Sequence, residues 1–134
     1  MNTLSATDSD LAARAFETAA AQAFHSIMVT EGEIHSEGNK IVFVNNAFTD
    51  MTGFTPEEVI GKTPRFMQGA KTDQAVLDEL RENLKAGSDF HGKTINYRKD
   101  GSEFMIEWKV FPIRDQHGSV THHVAVQRDI SPTQ

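Results

Sequence analysis

Cysteine is missing altogether from the 134 residues, which excludes disulfides, thiolate metal ligands and any cysteine nucleophile together. No apolar run approaches the ~20 residues needed to cross a bilayer, and the opening MNTLSATDSD lacks the basic-then-apolar layout of a secretory signal. Basic residues are the minority charge: 13 Lys and Arg against 19 Asp and Glu give a formal charge of −6. They are spread along the chain, so no basic patch for nucleic acid is expected. Tyrosine and tryptophan occur once each, as Tyr97 and Trp108. There is no Gly-x-Ser-x-Gly elbow, hydrolase or kinase chemistry is not expected, and the chain is not expected to be an enzyme. A cytoplasmic protein with no membrane or nucleic-acid partner is the expectation.

The residues that are present, 38% hydrophobic and 24% charged with nine Phe, suit one domain around a single core. Residues 1–7 are small and polar and are expected to fray. Leu11, Ala15, Phe16, Ala19, Ala20 and Ala23 recur at spacings of three and four and predict a helix from Asp8 to Phe24. Its alanine-rich face is suited to covering another element. Ile27–Thr30 and Lys40–Val44 read as an opening hairpin across the polar stretch EGEIHSEGN. Asn45 or Asn46 can cap a helix through Met51, with Gly53 at its left-handed end. Thr55-Pro56-Glu57-Glu58 is a capping box for a short helix ending at Gly61. Lys62–Lys71 reads as a loop. Thr72 or Asp73 then opens a helix whose Val76, Leu77, Leu80 and Leu84 form one stripe, ended by Gly87.

The last third is β. His91–Arg98 and Glu103–Arg114 flank the hairpin turn Lys99-Asp100-Gly101-Ser102, and Asp115–Gly118 turns the chain into Ser119–Arg128. The order of elements implies an α+β fold: an antiparallel sheet with helices crossing one face.

At this point the residues resemble a family. Ile41-Val42-Phe43-Val44-Asn45, Phe48, Thr52-Gly53-Phe54 and Glu57–Gly61 are similar to the first half of a PAS domain. Tyr97–Ser102 and Arg128-Asp129-Ile130 are similar to its second half. The resemblance implies a five-stranded antiparallel sheet with helices around a central pocket. It divides the chain into a cap helix at 1–25 packed outside the sheet, a sensor domain at 26–130 and a tail at 131–134.

Within that family, Gly61–Gly69 resembles the signature loop of the LOV flavin photoreceptors, Gly-Arg-Asn-Cys-Arg-Phe-Leu-Gln-Gly. Arg65, Phe66, Gln68 and Gly69 match; Thr63 replaces the Asn and Pro64 the photoreactive Cys. Further along, Arg81 matches the helix arginine that holds the flavin phosphate with the loop arginine. Asn96 matches the first of two strand asparagines at the ring's polar edge, Ile106 stands in place of the second, and Gln127 matches the last-strand glutamine. The resemblance therefore implies a flavin nucleotide site formed by Thr63, Arg65, Gln68, Arg81, Asn96, Ile106 and Gln127. FMN is the implied form, because Gln68–Asp73 has no insertion to house an adenine. Covalent LOV photochemistry requires a thiol and is excluded here. Redox or light sensing without a cysteinyl bond is what this reading leaves.

The residues taken by themselves keep the alternatives open. Two guanidiniums suit a phosphate dianion, yet Arg65 and Arg81 equally suit solvent or pairing with Asp78 and Glu82. Asn96 and Gln127 on inward strand faces suit a ring with mixed donors and acceptors, or backbone and water in an empty pocket. Phe104, Ile106, Trp108 and Val110 share a strand face that serves as pocket wall or as plain core. Tyr97 and Trp108 are candidate electron donors or simple packing. Six histidines (His25, His35, His91, His117, His122 and His123) show no metal-ligand spacing and read as surface or partial-core residues. Residues 73–86, where haem-binding relatives carry an axial His, contain none. A cofactor-free dimerisation or relay module and a haem or small-ligand sensor are the rival readings. A homodimer through helix 8–24 and the outer sheet face is expected, with Val124 and Val126 on that face beside Ile95 and Tyr97. No effector segment follows Ile130 in this chain, so a separate signalling effector, or a longer protein, is expected.

Overall fold

Period-two alternation in the last third builds the sheet. In the computed structural model, which describes residues 6–32 and 38–132, strands β3 (Phe90–Tyr97), β4 (Glu103–Arg114) and β5 (Val120–Asp129) form an antiparallel meander. β1 (Ser26–Glu31) and β2 (Ile41–Val44) complete a five-stranded sheet in the order β2-β1-β5-β4-β3. The first strand therefore lies beside the last, with Ser26 opposite Gln127 and Thr30 opposite His123. Of residues 1–7, expected to fray, Ala6 and Thr7 belong to the first helix, while 1–5, the centre of the polar stretch at 33–37 with His35, and tail residues Thr133 and Gln134 lie outside the described residues.

On β4 the even-numbered residues Phe104, Ile106, Trp108 and Val110 are buried, while Glu107, Lys109 and Phe111 lie on the other face. The buried face meets Met28, Ile41, Phe48, Val59 and Met67 to form the core. Helices α2 (Asn46–Thr52), α3 (Pro56–Val59) and α4 (Gln74–Lys85) lie over it. Asn45 is the N-cap of α2, its Oδ1 accepting the Phe48 N–H, and Gly53 ends that helix at φ +81°, a conformation glycine adopts without Cβ strain. At α3 the Glu58 carboxylate accepts the Thr55 N–H at 2.9 Å. Asp73, rather than Thr72, caps α4 through the Ala75 N–H. Thr72 instead donates its hydroxyl to the Ile95 carbonyl at 2.7 Å, anchoring the start of α4 to the sheet. A Cβ on Gly92 would fall 2.4 Å from Phe90 Cζ and 3.2 Å from Val76, so glycine lets α4 approach β3.

Two expectations need correction. The segment Lys62–Lys71 is not all loop: Pro64–Met67 forms a 3₁₀ turn, a short i→i+3 element that carries no apolar period to read. Helix α1 (Ala6–Gln22) meets the sheet at the β2 end of its outer face, where Phe43 is the register partner of buried Val29. It joins the domain near its C-terminal end, where Ala20 is buried, its carbonyl accepts from Asn45 Nδ2 at 2.8 Å, and Phe16 meets Phe43 of β2. Ile95 and Tyr97 are not neighbours of Val124 and Val126, because β4 lies between β3 and β5. Tyr97 instead packs its ring on Gly69 and accepts the Lys71 N–H at 3.0 Å.

Candidate functional site

Between the inner sheet face, α4 and the Pro64–Met67 turn lies a cavity of about 660 Å³, within the range of small-molecule sites. Its sheet wall is apolar in the middle, with Met28, Ile106, Trp108, Val110 and Ala125. Leu77, Leu80 and Leu84 of α4 face it from the other side. Period two explains the selection: β5 presents His123, Ala125 and Gln127 inward and leaves Val124 and Val126 on the outer face.

Six of the seven residues expected to form the site line this cavity: Arg65, Gln68, Arg81, Asn96, Ile106 and Gln127. Thr63 lies outside the lining, at the N-terminus of the 3₁₀ turn and against Gly38, whose own Cβ would meet it at 3.3 Å. Phe104 is likewise buried but outside the lining. The Arg98 guanidinium sits 4.7 Å above its ring, donates to the Met51 and Glu103 carbonyls and pairs with Asp129. Pro64 lines the cavity at the position of the photoreactive cysteine in the resemblance.

Gln127 is buried at 5% exposure, and its Oε1 accepts the Ser26 hydroxyl at 2.8 Å. That bond fixes the amide and leaves Nε2 for the cavity. Asn96 brings a second amide from the edge strand β3. Arg65 and Arg81 are exposed, so their charge stands where the cavity opens to solvent, together with Asp78. Trp108 is wedged between the cavity and Phe90, ring centroids 5.1 Å apart.

Sequence reasoning missed part of the lining. His123, read as a surface or partial-core residue, is 2% exposed and lines the cavity together with Thr30 and Asn39. Neither of its ring nitrogens has a hydrogen-bond partner of ordinary geometry. Burial pushes its pKa below the usual histidine value, opposed by the Glu31 backbone. Counting back by twos from Gln127 was the signal that could have found it. Ser26, which orients Gln127, carried none, because its position depends on the β1–β5 pairing. On the outer face, His91 Nε2 meets Glu107 at 2.9 Å and Arg128 meets the same carboxylate, holding it below the usual carboxylate range.

Comparison with known proteins agrees with this geometry. The family described as "PAS domain" matches residues 26–132. Phototropin-2 of Oryza sativa subsp. japonica is 41% identical over 91 residues, covering 68% of this chain and 10% of that protein. A blue-light photoreceptor of Listeria monocytogenes serovar 1/2a is 34% identical over 105 residues, covering 78% of this chain and 40% of its own length. The chain thus spans less than half of either relative. A solved structure described as "Flavin Analogue Sheds Light on Light-Oxygen-Voltage Domain Mechanism" superposes with a TM-score of 0.77 at 32% identity, over 95% of this chain and 89% of that one. Another, "Structure of an RNA-binding Light-Oxygen-Voltage Receptor", gives 0.83 at 27% identity over 98% of this chain and 36% of that one. Five antiparallel strands, short helices over a cavity and a match across nearly the whole sheet lead to one assignment: the chain belongs to the PAS domain family and is homologous to the LOV domains of phototropins and blue-light photoreceptors.

Proposed function

We propose that this sensory module binds FMN noncovalently in the cavity and reports light or redox state to a separate effector in the cytoplasm, without a catalytic step of its own. One observation carries the reading: two inward amides, Asn96 and Gln127, stand beside the apolar middle of the sheet wall in a cavity whose mouth holds two arginines. A flat ring with a polar edge and an anionic tail matches that distribution of groups. Fold alone would not choose this ligand, since one fold hosts many.

Bound flavin supplies light absorption and a redox centre. The chain's residues do the rest. Asn96 and Gln127 Nε2 donate to the polar edge, Ile106 and Trp108 exclude water from the ring face, and Arg65 and Arg81 pair with the phosphate. Gln127 is also the sensing residue of this reading. Its other end is bonded to Ser26 on β1, and it lies opposite Trp108 on β4, so a changed hydrogen-bond demand at the ring edge is felt by two neighbouring strands. Pro64 and the absence of any cysteine leave no thiol to bond the ring.

The test is reconstitution of the purified protein with FMN, FAD and riboflavin, followed by absorbance and mass spectrometry of the retained chromophore. A yellow protein retaining FMN is expected, with the Arg65→Ala/Arg81→Ala double variant losing FMN affinity but keeping that for riboflavin. A colourless protein that takes up no flavin leaves the cofactor-free module instead.

The exposed apolar residues support a homodimer as part of the same proposal. Leu11 and Phe16 on α1 are 56% and 47% exposed, and Phe24 just beyond it is fully exposed. Phe111 and Ile113 are exposed on the outer sheet face. Such surface suits a second subunit. Light scattering should show a dimer for the full chain and a monomer for a version lacking residues 1–24. A full-length monomer at all concentrations refutes the dimer.

A further inference from the structure

The chain holds one indole and one phenol, Trp108 and Tyr97, and the fold treats them differently. Tyr97 lies outside the cavity lining, its ring against Gly69 and its hydroxyl accepting the Lys71 N–H at 3.0 Å. Trp108 is 8% exposed and lines the cavity from the inward face of β4. Its register partner on β3 is Gly92, which has no side chain, and Phe90 packs against the indole with ring centroids 5.1 Å apart at 50°. Its register partner on β5 is Gln127. The indole thus belongs to the apolar middle of the sheet wall with Ile106 and Val110, and Leu77, Leu80 and Leu84 stand on the other side of the cavity. A flat ring held between these walls lies against the indole whichever way its edges point.

Of the side chains in that lining, the indole gives up an electron most readily. The thioethers of Met28 and Met67 and the neutral imidazole of His123 hold theirs more tightly. A flavin that has absorbed light is a much stronger oxidant than the same ring in the dark. We infer that Trp108 is a one-electron donor to photoexcited flavin in this cavity and thereby sets how long the excited state lives, a role that rests on the flavin reading above. One electron passes from the indole to the excited ring and then returns to the indole cation. No bond breaks, no co-reactant is consumed, and both groups end as they began. The indole proton stays in place, because the only carboxylate in the lining, Asp78, stands at the mouth with Arg65 and Arg81, and both ring nitrogens of His123 are buried. Much of the absorbed light is then dissipated before it can alter the hydrogen bonding of Gln127. The light response of the module becomes a competition that Trp108 tunes, whereas its response to chemical reduction in the dark is left untouched.

The test loads the full chain with FMN and measures the fluorescence lifetime of the bound flavin. Trp108→Phe should lengthen that lifetime several-fold, and Tyr97→Phe should leave it unchanged. Because the chain has a single Trp, growth on a ring-fluorinated tryptophan alters that one side chain, which keeps its shape but yields an electron less readily. The fluorinated protein should also show a longer lifetime, at unchanged FMN affinity, which a packing role alone would not produce. In the wild type, transient absorption should show an indole radical cation that appears as the excited flavin decays and vanishes as the ground state returns. A lifetime unmoved by Trp108→Phe or by fluorination, or no indole cation in the loaded wild type, overturns the donor role, while retained FMN keeps the flavin reading. A wild type that retains no flavin overturns both. If Trp108→Phe does not fold, the fluorinated protein and the wild-type flash measurement decide.

Discussion

The two faces of the same sheet use the same alternation for opposite ends. Inward residues of β4 and β5 are mostly apolar and buried, interrupted by one amide, Gln127, and by the imidazole of His123, whose ring nitrogens lack partners. Outward residues mix half-exposed apolar groups such as Val124 and Val126 with an ion cluster, His91, Glu107 and Arg128, that satisfies itself. Polar groups left unmatched inside cost more than those outside, where water serves. The inner face is therefore where a ligand has something to add, and the outer face is where a protein surface does.

The sharpest way to break this comparison uses adjacent residues. Phe104→Ala on the inner face should cost about 3–5 kcal/mol, and Met105→Ala, one residue on and facing outward, less than half of that. Urea unfolding measures both, and equal costs would show that the outer face is packed like a core. Next in size, Asn96→Ala and Gln127→Leu should each weaken FMN binding by on the order of tenfold, while Lys93→Ala, outward on the same strand as Asn96, leaves it unchanged. Fluorescence titration reads all three, and a loss on Lys93→Ala would place the ligand elsewhere. Pro64→Cys sharpens the inner geometry further. With FMN bound, blue light should bleach the flavin band of this variant and darkness restore it, and a loaded variant that does not bleach would reject the ring position.

The smallest effect separates the faces by pH. His123 has its pKa lowered by burial, so its share of stability is complete above the ordinary histidine value of 6.5 and is lost as pH falls below it. Glu107 has its pKa lowered by the hydrogen bond from His91 and then by Arg128, so its share is complete above the ordinary 4.5 and is lost only below that. Thermal melts across pH should show two steps. His123→Phe should remove the first, and Glu107→Gln should shrink the second, which Glu58, Asp100 and Asp129 share; steps unchanged in both variants would show that neither group contributes to acid unfolding.

What could be read from the chain follows the range of the forces involved. β4 runs over Glu103–Arg114, the span its alternation marks, and the caps at Asn45 and Asp73 sit where short polar side chains precede helical stripes. Those signals are local. The pairing of β1 with β5 joins residues a hundred positions apart, and with it go the Ser26–Gln127 bond and the true neighbours of Val124. The direction in which α1 leaves the domain also escapes the sequence, because an alanine-rich stripe fits many surfaces equally well. The six cavity-lining residues were legible through resemblance, which carries the long-range pairing with it. His123 was legible from the alternation of β5 alone, yet a histidine without a metal spacing reads as ordinary.

Asn45 shows what saturation does to a residue's freedom to change. Its Oδ1 takes the N–H groups of Ile27 and Phe48, at 2.9 and 3.1 Å, and its Nδ2 gives to the carbonyls of Ala20 and His25, at 2.8 and 3.0 Å. Two donors and two acceptor positions are a full complement for a primary amide. Aspartate offers no donors, serine and threonine offer one, and glutamine is a methylene too long for a buried site at 3% exposure. In a library of single variants scored for folding, position 45 should tolerate asparagine and little else. Position 96, the same residue type facing a cavity, should accept most small or polar side chains in that screen and become restrictive only when ligand binding is scored.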